Sequence, residues 1–158
     1  MNTKKNKSFF LTTAFFFISL LSFGQDLEEL PFKKASRIVI ECDTSVNDLY
    51  KQFSSFLNGR GYTIEITNSG LERFTTGLRN TSKLNFSYRI HAWIEDELIN
   101  ITIQWRLNSN SAAGVRETPF YNWKYSNSKN GNVEGIIYND VMTIIKKFTL
   151  RKRILFAR

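Results

Sequence analysis

The sequence predicts an α+β fold: a two-layer sandwich in which an antiparallel sheet of about five strands carries two helices on one face, in the order β-α-β-β-β-β-α. Three observations predict it. "KLNFSYRIHAWIEDELINITIQWRL" (83–107) alternates apolar and polar residues on both sides of an acidic break at Glu95 to Glu97, which is the pattern of two half-buried strands and a reversal. Residues 46–57 and 133–148 instead repeat apolar side chains at three- and four-residue steps, the period of a helix with one apolar stripe. Strands with one apolar face and helices with one apolar stripe bury them against each other, which gives two layers.

Taken in order, "RIVIEC" (37–42) places Ile38, Ile40 and Cys42 on one side of a short strand. Asp43, Thr44 or Ser45 can cap the following helix, and Asp48 lies in its first turn. Val46, Leu49, Tyr50, Phe53, Phe56 and Leu57 form its stripe, and "NGRG" ends it because Gly59 or Gly61 can adopt a left-handed backbone. "YTIEIT" (62–67) alternates Tyr62, Ile64 and Ile66. After "NSG", "ERFTTGLRN" (72–80) returns with Phe74, Thr76 and Leu78 on one side, a hairpin.

The main hairpin folds at Glu95 to Leu98. Ile94 then meets Ile99, Ala92 meets Ile101, Ile90 meets Ile103, Tyr88 meets Trp105 and Phe86 meets Leu107. The other face pairs Trp93 with Asn100, His91 with Thr102, Arg89 with Gln104 and Ser87 with Arg106. A slip of one residue would set Ala92 against Asn100 and destroy the apolar face, so the register is well specified; a slip of two keeps the parity and stays open. A polar connection (108–119) leads to "FYNWKY" (120–125), which allows one more short strand. Asn132 can cap the last helix, striped by Val133, Ile136, Ile137, Val141, Ile144, Ile145 and Phe148.

The ends carry different information. Lys4, Lys5 and Lys7 precede "FFLTTAFFFISLL" (9–21) and "SFGQ", the charged, apolar and small-residue parts of a cleavable secretory signal. The apolar run is shorter than the ~20 residues of a membrane span. Cleavage after Gly24 removes residues 1–24, a linker (25–36) follows, a single domain occupies 37–149, and 150–158 forms a basic tail. The expected location is the periplasm or the exterior. Loss of the leader's three lysines lowers the formal net charge of +8, leaving a mildly basic protein. Cys42 is the only cysteine, so no internal disulfide can form and packing must supply stability. Its place on an apolar strand suits a buried small side chain.

The stretches "RIVIECDTSVNDLYKQFSSFLNGRGYTIEI", "SGLERFTTG", "VEGIIYNDVMTIIKKF" and the "SFGQ" end of the leader resemble a family of small exported proteins, common in Bacteroidota. These carry a domain of unknown function with a TATA-binding-protein-like (helix-grip) fold. The resemblance spans about residues 37–148 and implies the fold and export. The family has no established catalytic residues, so it implies no site.

The residues themselves exclude the familiar catalytic patterns. There is no G-x-S-x-G, P-loop, H-E-x-x-H or C-x-x-C. His91 is the single histidine. Glu95 follows four residues later on the same strand face, roughly 13 Å away at ~3.3 Å per residue, too far to orient a general base. Glu95, Asp96 and Glu97 lack the alternate spacing and glycine of a calcium loop. No enzyme activity, metal or cofactor is expected.

The expected site is instead the sheet face turned away from the helices, where Arg89, His91, Trp93, Gln104 and Arg106 project from adjacent strands, joined by the 108–125 segment. Tryptophan and arginine are the residues most favoured at binding hot spots, so the leading expectation is a non-catalytic binding or scaffold domain of the cell envelope. An envelope protein or an apolar ligand is the expected partner, and nucleic acid is not. Two alternatives are a carrier holding an apolar or lipid ligand between helix and sheet, and a small hydrolase with a dispersed site. A weaker surface, Lys146, Lys147, Arg151, Lys152 and Arg153, suits peripheral contact with a membrane or polyanion.

Overall fold

The structure is a computed structural model that describes residues 27–43, 46–68, 71–81, 84–108, 118–126 and 131–158. The leader, Thr44, Ser45 and most of the 108–119 connection lie outside the described residues. The strands are β1 (Arg37–Cys42), β2 (Ile64–Asn68), β3 (Arg73–Thr76), β4 (Arg79–Asn80), β5 (Phe86–Glu95), β6 (Leu98–Leu107), β7 (Tyr121–Asn122) and β8 (Arg151–Ala157). The helices are α1 (Val46–Asn58) and α2 (Val133–Ile145). One antiparallel sheet runs β2-β3-β5-β6-β1-β8, with β4 added to β5 and β7 to β6. The α+β architecture expected from the sequence is the one observed.

The β5–β6 hairpin has the register that the apolar pattern demands, from Phe86 opposite Leu107 to Glu95 opposite Leu98. Asp96 makes the two-residue reversal possible with a φ of 53°, a conformation that aspartate tolerates better than most side chains. Every helix-facing pair on the hairpin from Ile94–Ile99 to Ile90–Ile103 is buried. At the far end the apolar face stops. Leu84 precedes β5 and Leu107 closes β6, and both are exposed. Leu78, expected beside Phe74 and Thr76, is exposed too, because β3 ends at Thr76.

Leu49, Phe53 and Leu57 of α1 and Ile137, Val141 and Ile145 of α2 enter the same core as Ile38, Ile40, Phe74, Tyr88 and Ile90, so both helices lie on one sheet face. Aromatic rings fill the space between the layers. Phe53 touches Phe74 and Phe148 at centroid distances of 6.1 and 5.2 Å, and Trp123 stacks on Tyr138 at 6.4 Å. Gly61 ends the turn after α1 with a φ of 83°, and its N–H donates to Asn58 O while Tyr62 N–H donates to Leu57 O. Asn132 caps α2 as expected, its side chain accepting from Gly135 N at 2.9 Å.

Both chain ends depart from expectation. The 150–158 segment is no trailing tail: it forms the edge strand β8 antiparallel to β1, and Leu155, Phe156 and Ala157 are buried. Nor is 27–36 a free linker. Glu28 exchanges backbone hydrogen bonds with Phe156 at 3.0 and 2.7 Å, Ser36 N donates to Ala157 O, Tyr125 N donates to Ala35 O, and Ala35 is buried. The physical reason is that β1, whose central Ile38, Val39 and Ile40 are buried on both faces, would otherwise end the sheet with an unpaired edge. "ILFA" is a short continuous apolar run that can cover that edge, though the basic residues before it obscure the signal.

Phe156 therefore separates an integral strand from a tail. Phe156→Ala is expected to lower unfolding stability by about 3–5 kcal/mol, read as a shifted urea midpoint, whereas truncating a loose tail would move it little.

Candidate functional site

Alternation along the strands sends Arg89, His91 and Trp93 of β5 and Gln104 and Arg106 of β6 to the face without helices. All five are partly buried. Three of them are directly bonded. Arg89 donates from Nε and Nη2 to Gln104 Oε1 at 3.2 and 2.8 Å, and His91 Nε2 lies 3.0 Å from the same oxygen. Arginine can only donate, so the atom that faces it must be the amide oxygen, and this fixes the orientation of the Gln104 side chain. His91 Nε2 must then carry the proton, and Nδ1 accepts from Thr75 Oγ1 at 2.9 Å. The far side of the amide, Gln104 Nε2, donates to Asn122 Oδ1 of β7 at 3.2 Å. Gln104 thus holds strands β5, β6 and β7 in one directional network, with β3 joined through Thr75.

Arg106 enters through a ring. The Arg89 and Arg106 guanidinium carbons lie 4.1 and 5.1 Å from the centroid of Phe120, placing two cations on one aromatic side chain. Trp93 stands apart from this network. Arg37 of β1 lies over its ring at 6.0 Å, and Arg73 of β3 occupies the position beside it. Toward β8 the face closes into a small apolar cluster of Val39, Leu155 and Ala157, against which Leu98 packs. Sequence reasoning missed Thr75, Phe120, Asn122 and Arg37. The aromatic run 120–125 signalled the second and third of these, while Thr75 and Arg37 became visible only with the strand order.

His91 titrates below the ordinary histidine range. Partial burial is the main cause, and the Arg89 charge adds to it, against an opposing effect of the bond to Gln104. A proton on Nδ1 would also oblige Thr75 to turn from donor to acceptor. Among the described residues the ring nitrogens of His91 meet Thr75 and Gln104 and no carboxylate, which differs from the base-and-orienter geometry of general base catalysis. Among the described residues no group of three or more His, Cys, Asp and Glu side chains could hold a metal ion. Cys42 is buried under the helices, its thiol pushed up to about 12 by burial and by the charges of Asp43, Glu41 and Glu97; it is inert packing.

A second directional chain lies on the helix side. Tyr88 OH donates to Asp140 of α2, so Tyr62 OH donates to Tyr88 OH at 2.7 Å. Arg79 reaches Asp140 at 3.5 Å and covers the Tyr62 ring at 4.7 Å. Burial pushes both tyrosine hydroxyls upward, Tyr88 the more strongly. These hydroxyls remain protonated and tie α2 to the sheet.

The basic C-terminal residues do not form one patch. Arg151 Nη1 donates to Ile145 O at the end of α2. Lys152 pairs with Glu41 and Asp43 at 3.5 and 3.4 Å, and Arg153 pairs with Glu41 at 2.5 Å and Glu29 at 3.7 Å. Lys146 and Lys147 are exposed after α2. The Glu41 carboxyl is held below its usual range, chiefly by the Arg153 hydrogen bonds. Three of the five cations expected to meet a polyanion are thus turned to local duties. No helix among the described residues is long and apolar enough to cross a membrane.

Comparison with protein-family models, with curated proteins and with solved structures returns no match.

His91 offers a direct check of the network. Its folded pKa lies below that of the unfolded chain, about 6.5, so as pH falls the unfolded state takes up the proton first. Stability is complete above that value and declines below it. His91→Gln is expected to flatten the urea-midpoint profile between pH 7 and 5, and an unchanged profile would contradict the lowered titration of His91.

Proposed function

We propose that this is an exported, non-catalytic binding or scaffold domain of the cell envelope, which docks a partner through the helix-free sheet face. The observation that carries the reading is the Gln104 network. Arg89, His91, Gln104 and Asn122 are held in orientation by one another, and Phe120 lies against the Arg89 and Arg106 guanidinium groups. Long polar side chains on a surface normally sample many rotamers, and ordering each one on binding costs about 0.5–1.5 kcal/mol. A face ordered in advance avoids that cost, so side-chain order supports recognition more than mere solubility does. The apolar-carrier alternative has less support, since ring-on-ring contacts occupy the space between helices and sheet. A surface groove does exist, lined by Lys51, Ser55 and Phe56 of α1 with Arg60 and Phe148; it opens along α1 and its floor is the Phe148 ring, which packs on Phe53.

Photo-crosslinking tests the face. A benzoylphenylalanine placed at Thr102, in the middle of the face, is expected to give discrete adducts in cells, and the same group at Lys51 on α1 to give none. Equal patterns at both positions, or no adduct at Thr102, would defeat the reading. Export rests on the leader, and it predicts that protein recovered from the envelope fraction begins at Gln25. An N-terminus at Met1 in the cytoplasmic fraction would refute it.

A further inference from the structure

We infer that the partner presents carboxylates: the Arg89–Phe120–Arg106 clamp is a recognition site for an acidic peptide segment of another protein. This deepens the docking-face reading and rests on it. Two guanidinium groups share one phenylalanine ring at 4.1 and 5.1 Å, and neither forms an ion pair among the described residues. Elsewhere the chain spends its acids freely on its cations: Glu41 alone serves Lys152 and Arg153, and Asp140 serves Arg79. Among the described residues the clamp is left without a carboxylate, next to a histidine whose protonation burial and Arg89 disfavour.

The geometry also selects the ligand. Arg89 spends Nε and one Nη2 hydrogen on Gln104 Oε1, which leaves the Nη1 edge of its fork for an incoming group. Phe120 lies within 4.1 and 5.1 Å of the two guanidinium carbons, and the N–H groups that these contacts do not use can meet a carboxylate with two parallel hydrogen bonds. Neutral sugar rings need aromatic faces on which to stack. Here arginines already cover both rings of this face, Phe120 and Trp93. Extended peptide carboxylates need only the exposed edges. Arg106 lies opposite Ser87, two residues along from Arg89 on the adjacent strand, an offset of about 7 Å along the strand direction that is close to the spacing of same-side carboxylates on an extended peptide.

The test uses the full mature chain and a capped oligoglutamate peptide, with a linear polyuronate as the second probe. Titration at low ionic strength is expected to shift the Nε–H resonances of Arg89 and Arg106. Arg106→Gln and Phe120→Leu are each expected to weaken peptide binding roughly tenfold or more, and Arg106→Lys by less, because it keeps the charge and loses the fork. The double variant Lys146→Gln, Lys147→Gln is expected to bind as the parent does. Unchanged binding by Arg106→Gln, or binding lost in the lysine double variant, would overturn the assignment. So would a polyuronate that shifts these resonances while the peptide does not. The wild-type resonances keep the test open even if a variant misfolds. Adducts at Thr102 together with an inert oligoglutamate would remove the carboxylate assignment and leave the docking face standing.

Discussion

Glu95 and Leu98 face each other across a two-residue turn, and that pairing assigns a side to every residue of two ten-residue strands. Because strand side chains alternate strictly, one slip would exchange the two faces entirely. Isoleucines at 90, 94, 99, 101 and 103 would then meet solvent, and Arg89, His91 and Gln104 would meet the helices. The cost of burying those charges without partners far exceeds any gain from repacking. Asp96, with its positive φ, is the small local strain that permits the turn. Core, helix docking and polar face all follow from this register.

The two sides of β5 then acquire opposite polar devices from neighbouring residues. Tyr88 points into the core and donates a hydrogen bond to Asp140, and Arg89 points outward and donates to Gln104. On the inner side a hydroxyl chain satisfies groups that burial would otherwise penalise. On the outer side a network orders groups that water could have satisfied equally well. The second arrangement joins four strands and also orders a face open to solvent, and that order is what a docking partner would use.

Sheet completion depends on contacts distant in sequence. β1 lies between β6 and β8, so it is paired on one side by a strand some sixty residues later and on the other by the last strand of the chain. Residues 27–36 close over the same region, Glu28 against Phe156 and Lys34 against Tyr125. The Arg153–Glu41 and Lys152–Glu41 pairs sit on this seam. They are exposed and contribute modestly; the buried Phe156 and Leu155 do more.

The sequence by itself determined what local periodicity can encode: the α+β class, both helices and the Asn132 cap, the β5–β6 register, and the fact that Arg89, His91, Trp93, Gln104 and Arg106 share a face. Period two and period 3.6 are properties of the backbone, so they are written residue by residue and can be read without neighbours. Only the tertiary structure decided which strands adjoin. It turned "RKRILFA" from a basic tail into an edge strand, brought Thr75, Asn122 and Phe120 to the polar face, set Arg37 over Trp93, and sent Arg151, Lys152 and Arg153 to local partners. Those outcomes depend on pairings between segments far apart in the chain, whose energies come from burial and charge in three dimensions and leave no periodic trace in the sequence.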